Sequence, residues 1–99
     1  MLFLEEVGEP LYRLDRLLTQ LRCSGRLRNV KALIGGSLRG CRPVAEREGR
    51  WRELLLEAAP EGVPVVAGLP FGHAARNMAF PLGVPVEVDT GGGYVRWSD

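Results

Sequence analysis

Apolar residues along this chain fall into two alternating patterns: short unbroken runs, and longer stretches with helical spacing. Leu2, Phe3 and Leu4 form a run that ends in Glu5 and Glu6, as a buried strand does where it meets water. From Leu11 the spacing changes. Leu11, Leu14, Leu18 and Leu21, with Leu17 beside them, make one apolar stripe, while Arg13, Asp15, Arg16 and Gln20 take the other faces. Pro10 suits the first turn of this helix, Glu5, Glu6 and Glu9 lie near its positive end, and Gly25 is placed to stop it. Val30 to Ile34 reads as a second strand closed by Gly35-Gly36, and Ser37 to Val44, with Gly40 and Pro43, as a loop long enough to be functional. A second helix runs from about Ala45 to Ala59, with Trp51, Leu54, Leu55 and Ala58 on one face and Pro60 and Gly62 at its end. Val63 to Ala67 is a third apolar strand.

Strand, helix, strand, helix, strand in that order predicts right-handed crossovers on a parallel sheet. Parallel strands have their carboxyl ends at one edge, where ligands collect in open α/β sheets. Glu5 and the loop reaching His73 both leave from such ends. Beyond them the pattern alternates: Val84, Val86 and Val88 with Pro85, Glu87 and Asp89, then Thr90-Gly91-Gly92-Gly93 and Tyr94 to Trp97, which predicts a C-terminal hairpin. Met78 to Phe80 is a candidate for one more short strand before Pro81. The expected fold is α/β, a small mostly parallel sheet with packed helices and a C-terminal β-hairpin, in a single domain over residues 1–99.

Composition changes this picture little. The 99 residues suffice for one core, and 45% hydrophobic with 25% charged residues is ordinary for a globular protein. Thirteen basic against twelve acidic residues leave a net charge of +1, so no overall field recruits nucleic acid or an anionic membrane. The run Arg22, Arg26, Arg28, Lys31 lacks interleaved aromatics and reads as a solvated face. Cys23 and Cys41 have neither zinc-knuckle nor redox spacing and read as two reduced thiols. With no secretory signal pattern after Met1 and no apolar stretch of spanning length, the expected location is the cytoplasm.

The candidate chemistry is sparse. His73 is the sole histidine, in the loop Gly68-Leu69-Pro70-Phe71-Gly72-His73, and Glu5 at the same sheet edge makes it the partner of a possible acid/base arm. The plainer readings are an exposed or structural histidine, and acids placed before a helix N-terminus. No convincing nucleophile accompanies them. Ser37 in Gly35-Gly36-Ser37-Leu38-Arg39 misses the Gly-x-Ser-x-Gly elbow and opens no helix; Ser24 and Ser98 are weaker. A thiol dyad of Cys41 with His73 lacks a setting that would activate either cysteine. One histidine with two distant cysteines matches no usual zinc set, and Gly91-Gly92-Gly93 joins two strands and no helix, so neither a metal nor any other cofactor is expected.

Five segments in order resemble the C-terminal domain of LD-carboxypeptidases, the muramoyltetrapeptide carboxypeptidases related to the microcin C self-immunity peptidases. They are Leu2-Phe3-Leu4-Glu5-Glu6, the helix Pro10 to Leu21, Ile34-Gly35-Gly36, Gly68-Leu69-Pro70-Phe71-Gly72-His73 and Phe80-Pro81-Leu82-Gly83. The resemblance implies a swivelling β/β/α domain that supplies Glu and His to a Ser-His-Glu site, the serine standing on an N-terminal α/β domain. By position the glutamate falls on Glu5 and the histidine on His73. It also implies release of a terminal D-alanine from cytoplasmic muropeptide tetrapeptides, by cutting the amide after an L-configured centre, usually meso-diaminopimelate or lysine.

Glu6 stands where the family commonly has aspartate, and Arg39 to Arg47 matches poorly. The expected partners are the serine-bearing domain, across an interface around Phe71 and Tyr12, and the muropeptide; an isolated domain would self-associate through the same surface. On this reading the chain alone is inactive. Two alternatives stand beside it: a non-catalytic interaction module with the same fold, and a domain of a microcin-type nucleotide-peptide hydrolase.

Overall fold

The computed structural model describes residues 1–73, 77–79 and 82–97. Its elements are β1 (Leu2–Leu4), α1 (Leu11–Cys23), β2 (Leu33–Gly35), α2 (Arg47–Ala58), β3 (Val65–Val66), β4 (Val86–Asp89) and β5 (Tyr94–Trp97). The first three strands form a parallel sheet in the order β1-β2-β3, and β4 and β5 form an antiparallel hairpin. This is the expected α/β architecture.

Because the strands step in one direction across the sheet, two crossovers of the same hand place both helices on one face. Alternation along β1 then divides the interior. Leu2 and Leu4 join Leu33 and Val65 on the helix side, where Leu11, Leu14, Leu18, Trp51, Leu54, Leu55 and Ala58 close the main core. Phe3, Ile34 and Val66 face the other way, where bare sheet would meet water; Val88 and Val95, a directly paired couple in the hairpin, cover it together with Phe71. The layers are thus hairpin, parallel sheet, helices.

Local sequence explains the boundaries. In α1, Leu11, Leu14 and Leu18 are buried, but Leu17 is 42% exposed and lies outside the stripe that the spacing suggested. The helix ends in paired bonds, Arg26 N–H to Leu21 O and Gly25 N–H to Arg22 O, which satisfy carbonyls the last turn would leave free. The second strand begins later than its apolar run: Val30 N–H is taken by Leu27 O in a turn, and pairing with β1 starts at Leu33 and extends through Gly35. The third strand is trimmed to Val65–Val66 and the second helix to Arg47–Ala58. Met78 and Ala79 are not in a strand, and Phe80 and Pro81 lie outside the described residues.

Candidate active site

β1 and β3 flank β2, so their ends stand about 9–10 Å apart, two inter-strand spacings. Glu5 directly follows β1, and His73 comes seven residues after β3. They nevertheless meet across the carboxyl end of β2, with Glu5 Oε2 and His73 Nδ1 3.0 Å apart. What permits this is that β2 ends without side chains. A Cβ on Gly36 would stand 2.6 Å from the Phe71 ring, so the ring packs against bare backbone, in a T-shaped pair with Phe3 at a centroid distance of 5.3 Å.

That packing corrects one expectation. Phe71 is 7% exposed, a core residue in the hairpin-side cluster, so it offers no docking surface; Tyr12, at 60%, does face outward.

The strand end also ties the two loops together. Gly36 N–H donates to Leu4 O (2.7 Å), Glu6 N–H to Ser37 O (3.2 Å), Ser37 N–H to Phe71 O (2.9 Å) and Leu69 N–H to Gly35 O (3.2 Å). Gly72 holds φ +109°, and a Cβ there would stand 2.5 Å from Ser37 Oγ and 2.6 Å from Glu5 Oε2. Only glycine fits both the backbone angle and the space. Asn77 Oδ1 accepts the Gly72 N–H at 3.1 Å, and Arg39 Nη1 donates to His73 O at 3.1 Å.

Chemically, an ionised carboxylate can only accept, so the contact assigns the proton of a neutral His73 ring to Nδ1 and leaves Nε2 with its lone pair. The Glu5 side chain is 28% exposed and that of His73 60%. The acid is sheltered and the ring presented.

The other candidates do not join this pair. Ser37 follows β2 in a loop with no helix behind it until Arg47, so no strand-to-helix elbow presents its hydroxyl. Ser24 Oγ is occupied by Leu21 O, and Ser98 lies outside the described residues. Cys41 is buried in the helix-side core and Cys23 is exposed at the end of α1; both are free. The basic run starts at the far end of α1, which leads away from the carboxyl edge, and Arg22 Nη1 there donates to Glu57 O. Among the described residues no group of three or more His, Cys, Asp or Glu could hold a metal ion, and no helix is long and apolar enough to cross a membrane.

Sequence reasoning missed Arg39 and Asn77 as supports of the His73 loop. A loop that must pair its own backbone polar groups is a signal that nearby Asn and Arg will serve it, but nothing local singles out these two.

Comparison with known proteins places the chain in a family. The family model for the LD-carboxypeptidase C-terminal domain matches residues 1–88, which takes in both Glu5 and His73. The murein tetrapeptide carboxypeptidase of Pseudomonas aeruginosa is 40% identical over 98 residues, covering 98% of this chain and 31% of that protein. A Streptomyces coelicolor protein with a provisional carboxypeptidase name is 44% identical over 90 residues, covering 90% of this chain and 28% of that protein. The chain therefore spans about a third or less of the curated relatives it matches. No solved structure matches it significantly. On the family match across residues 1–88, this chain belongs to the LD-carboxypeptidase C-terminal domain family.

Proposed function

We propose that this domain supplies the acid and base of a Ser-His-Glu carboxypeptidase that releases the terminal D-alanine of muropeptide tetrapeptides, the serine coming from an N-terminal α/β domain. The observation that carries the reading is the 3.0 Å contact between Glu5 Oε2 and His73 Nδ1 at the carboxyl edge of the sheet. The name of the Pseudomonas aeruginosa relative supports the substrate class.

In this mechanism His73 Nε2 takes the serine proton as the hydroxyl attacks the scissile carbonyl, and returns it to the leaving D-alanine amine. Glu5 keeps the ring in the Nδ1–H tautomer and stabilises the imidazolium formed at attack. The serine domain docks against the carboxyl edge, where Val7, Tyr12 and Val44 are exposed at 43%, 60% and 63%.

The test is a chimera in which this chain replaces the matching segment of the Pseudomonas aeruginosa enzyme, assayed for D-alanine release from a tetrapeptide and, in parallel, for cleavage of a peptide-nucleotide conjugate. The expected result is release from the tetrapeptide. His73→Ala should cost about 10³-fold or more in kcat, and Glu5→Ala should lower kcat far more than it raises KM. Activity that survives His73→Ala refutes the assigned role.

A further inference from the structure

Ser37 Oγ is buried without a hydrogen-bond partner among the described residues. Buried hydroxyls are ordinarily paired, and one left over beside reacting groups asks for an explanation. Its surroundings supply one. The space that a Cβ on Gly72 would fill is bounded by Ser37 Oγ at 2.5 Å and by Glu5 Oε2 at 2.6 Å, so the hydroxyl and the carboxylate oxygen that meets His73 crowd the same point. The Ser37 backbone is fixed on both sides, its N–H to Phe71 O and its carbonyl to Glu6 N–H, which holds the hydroxyl between the acid's loop and the histidine's loop.

A hydroxyl can turn to donate, and an ionised carboxylate offers more lone pairs than the one His73 Nδ1 uses.

We propose that Ser37 is a positioning residue for the Glu5–His73 pair: its Oγ donates to the Glu5 carboxylate, fixing the rotamer in which Oε2 accepts from His73 Nδ1. The inference rests on the pairing described under Proposed function and assigns Ser37 no contact with substrate. It also gives the strand end a second task, since the segment that admits the two loops steers the acid within them.

The chain has one histidine, so its ring nitrogens give a single set of ¹⁵N signals in the whole 99-residue protein. At a pH where the ring is neutral, these report the ratio of the Nε2–H to the Nδ1–H tautomer. Ser37→Ala should raise that ratio about threefold, the size expected for loss of one supporting hydrogen bond, and Ser37→Thr should restore it. Ser37→Cys keeps the volume with a weaker donor and should fall between, which leaves a reading if Ser37→Ala does not fold. Glu5→Gln should move the ratio more than any of them. An unchanged ratio in Ser37→Ala or Ser37→Cys, with Glu5→Gln shifted, overturns the inference and leaves the pair standing. If Glu5→Gln also leaves the ratio unmoved, the pairing itself fails, and the role of Ser37 with it.

Discussion

The two faces of the parallel sheet are built to different standards. On the helix side Leu33, Leu54, Leu55 and Cys41 are fully buried, and two helices close over them. On the hairpin side, among the described residues, Ala32, Ile34 and Phe71 alone are buried, the hairpin valines are half-buried, and an open pocket of about 130 Å³ lies among Phe3, Leu69, Phe71, Met78, Val95 and Trp97. The difference teaches where stability and chemistry reside. Most of the apolar burial that drives folding is on the helix side. The loop that presents His73 is instead seated on the thinner side, through the Phe71 ring with Leu69 beside it.

If that division is right, damage to each face should have a different signature. Leu55, with no exposed surface, should show the largest effect: Leu55→Ala is expected to cost about 2–5 kcal/mol in denaturant unfolding, with the His73 tautomer ratio unaltered in the molecules that remain folded. A changed ratio would mean that the helix side also sets the site.

Gly72→Ala should act in the opposite sense. Its φ of +109° and its contacts with Ser37 and Glu5 predict a loss of about 1–3 kcal/mol and, beyond that, separation of the acid from the ring, read as loss of the Nδ1–H preference. Phe71→Leu should be milder in stability, about 1.5 kcal/mol, because an apolar group of fair size stays in place. Yet the ring's contact with Gly36 is lost, and the His73 signals should broaden or split; sharp, unmoved signals would show that the loop needs no such seat.

The smallest effect lies in the hairpin. The Glu87 carboxyl is held below its ordinary range by the hydrogen bond from Arg96, then by that from Tyr94. A depressed folded value means that the stabilisation is full above the ordinary glutamate range and is lost as the pH falls through the lowered value. Acid titration followed by the near-ultraviolet signal of Tyr94 and Trp97 should show this loss, and Arg96→Gln should flatten it. Equal acid sensitivity in both proteins would remove Glu87 from the account.

How much of this was legible beforehand follows the same division. The helix side was readable because its signal is periodic: Leu11, Leu14 and Leu18, and Trp51, Leu54 and Leu55, are core residues at helical spacing. Glu5 and His73 could be singled out because topology sends both loops to one edge, and the structure does bring them together. Phe71 defeated the reading. A phenylalanine between proline and glycine looks like a loop residue facing a partner, and its burial depends on the missing side chain of Gly36, thirty-five positions away. Ser37 could be weighed only as a nucleophile, since nothing in its neighbours tells that its hydroxyl and a carboxylate oxygen will border the same space beside Gly72. Arg39 was legible only as part of a poorly matching loop. Contacts of this kind are made by tertiary closure, and no local period announces them.

The acid and the imidazole are separated by 68 positions in the chain. Bringing such distant groups into register has an entropic cost that only assembly of the whole sheet repays. The contact is accordingly an all-or-none property of the fold: a half-synthesised or clipped polypeptide that lacks either end of the sheet cannot hold the carboxylate against the ring.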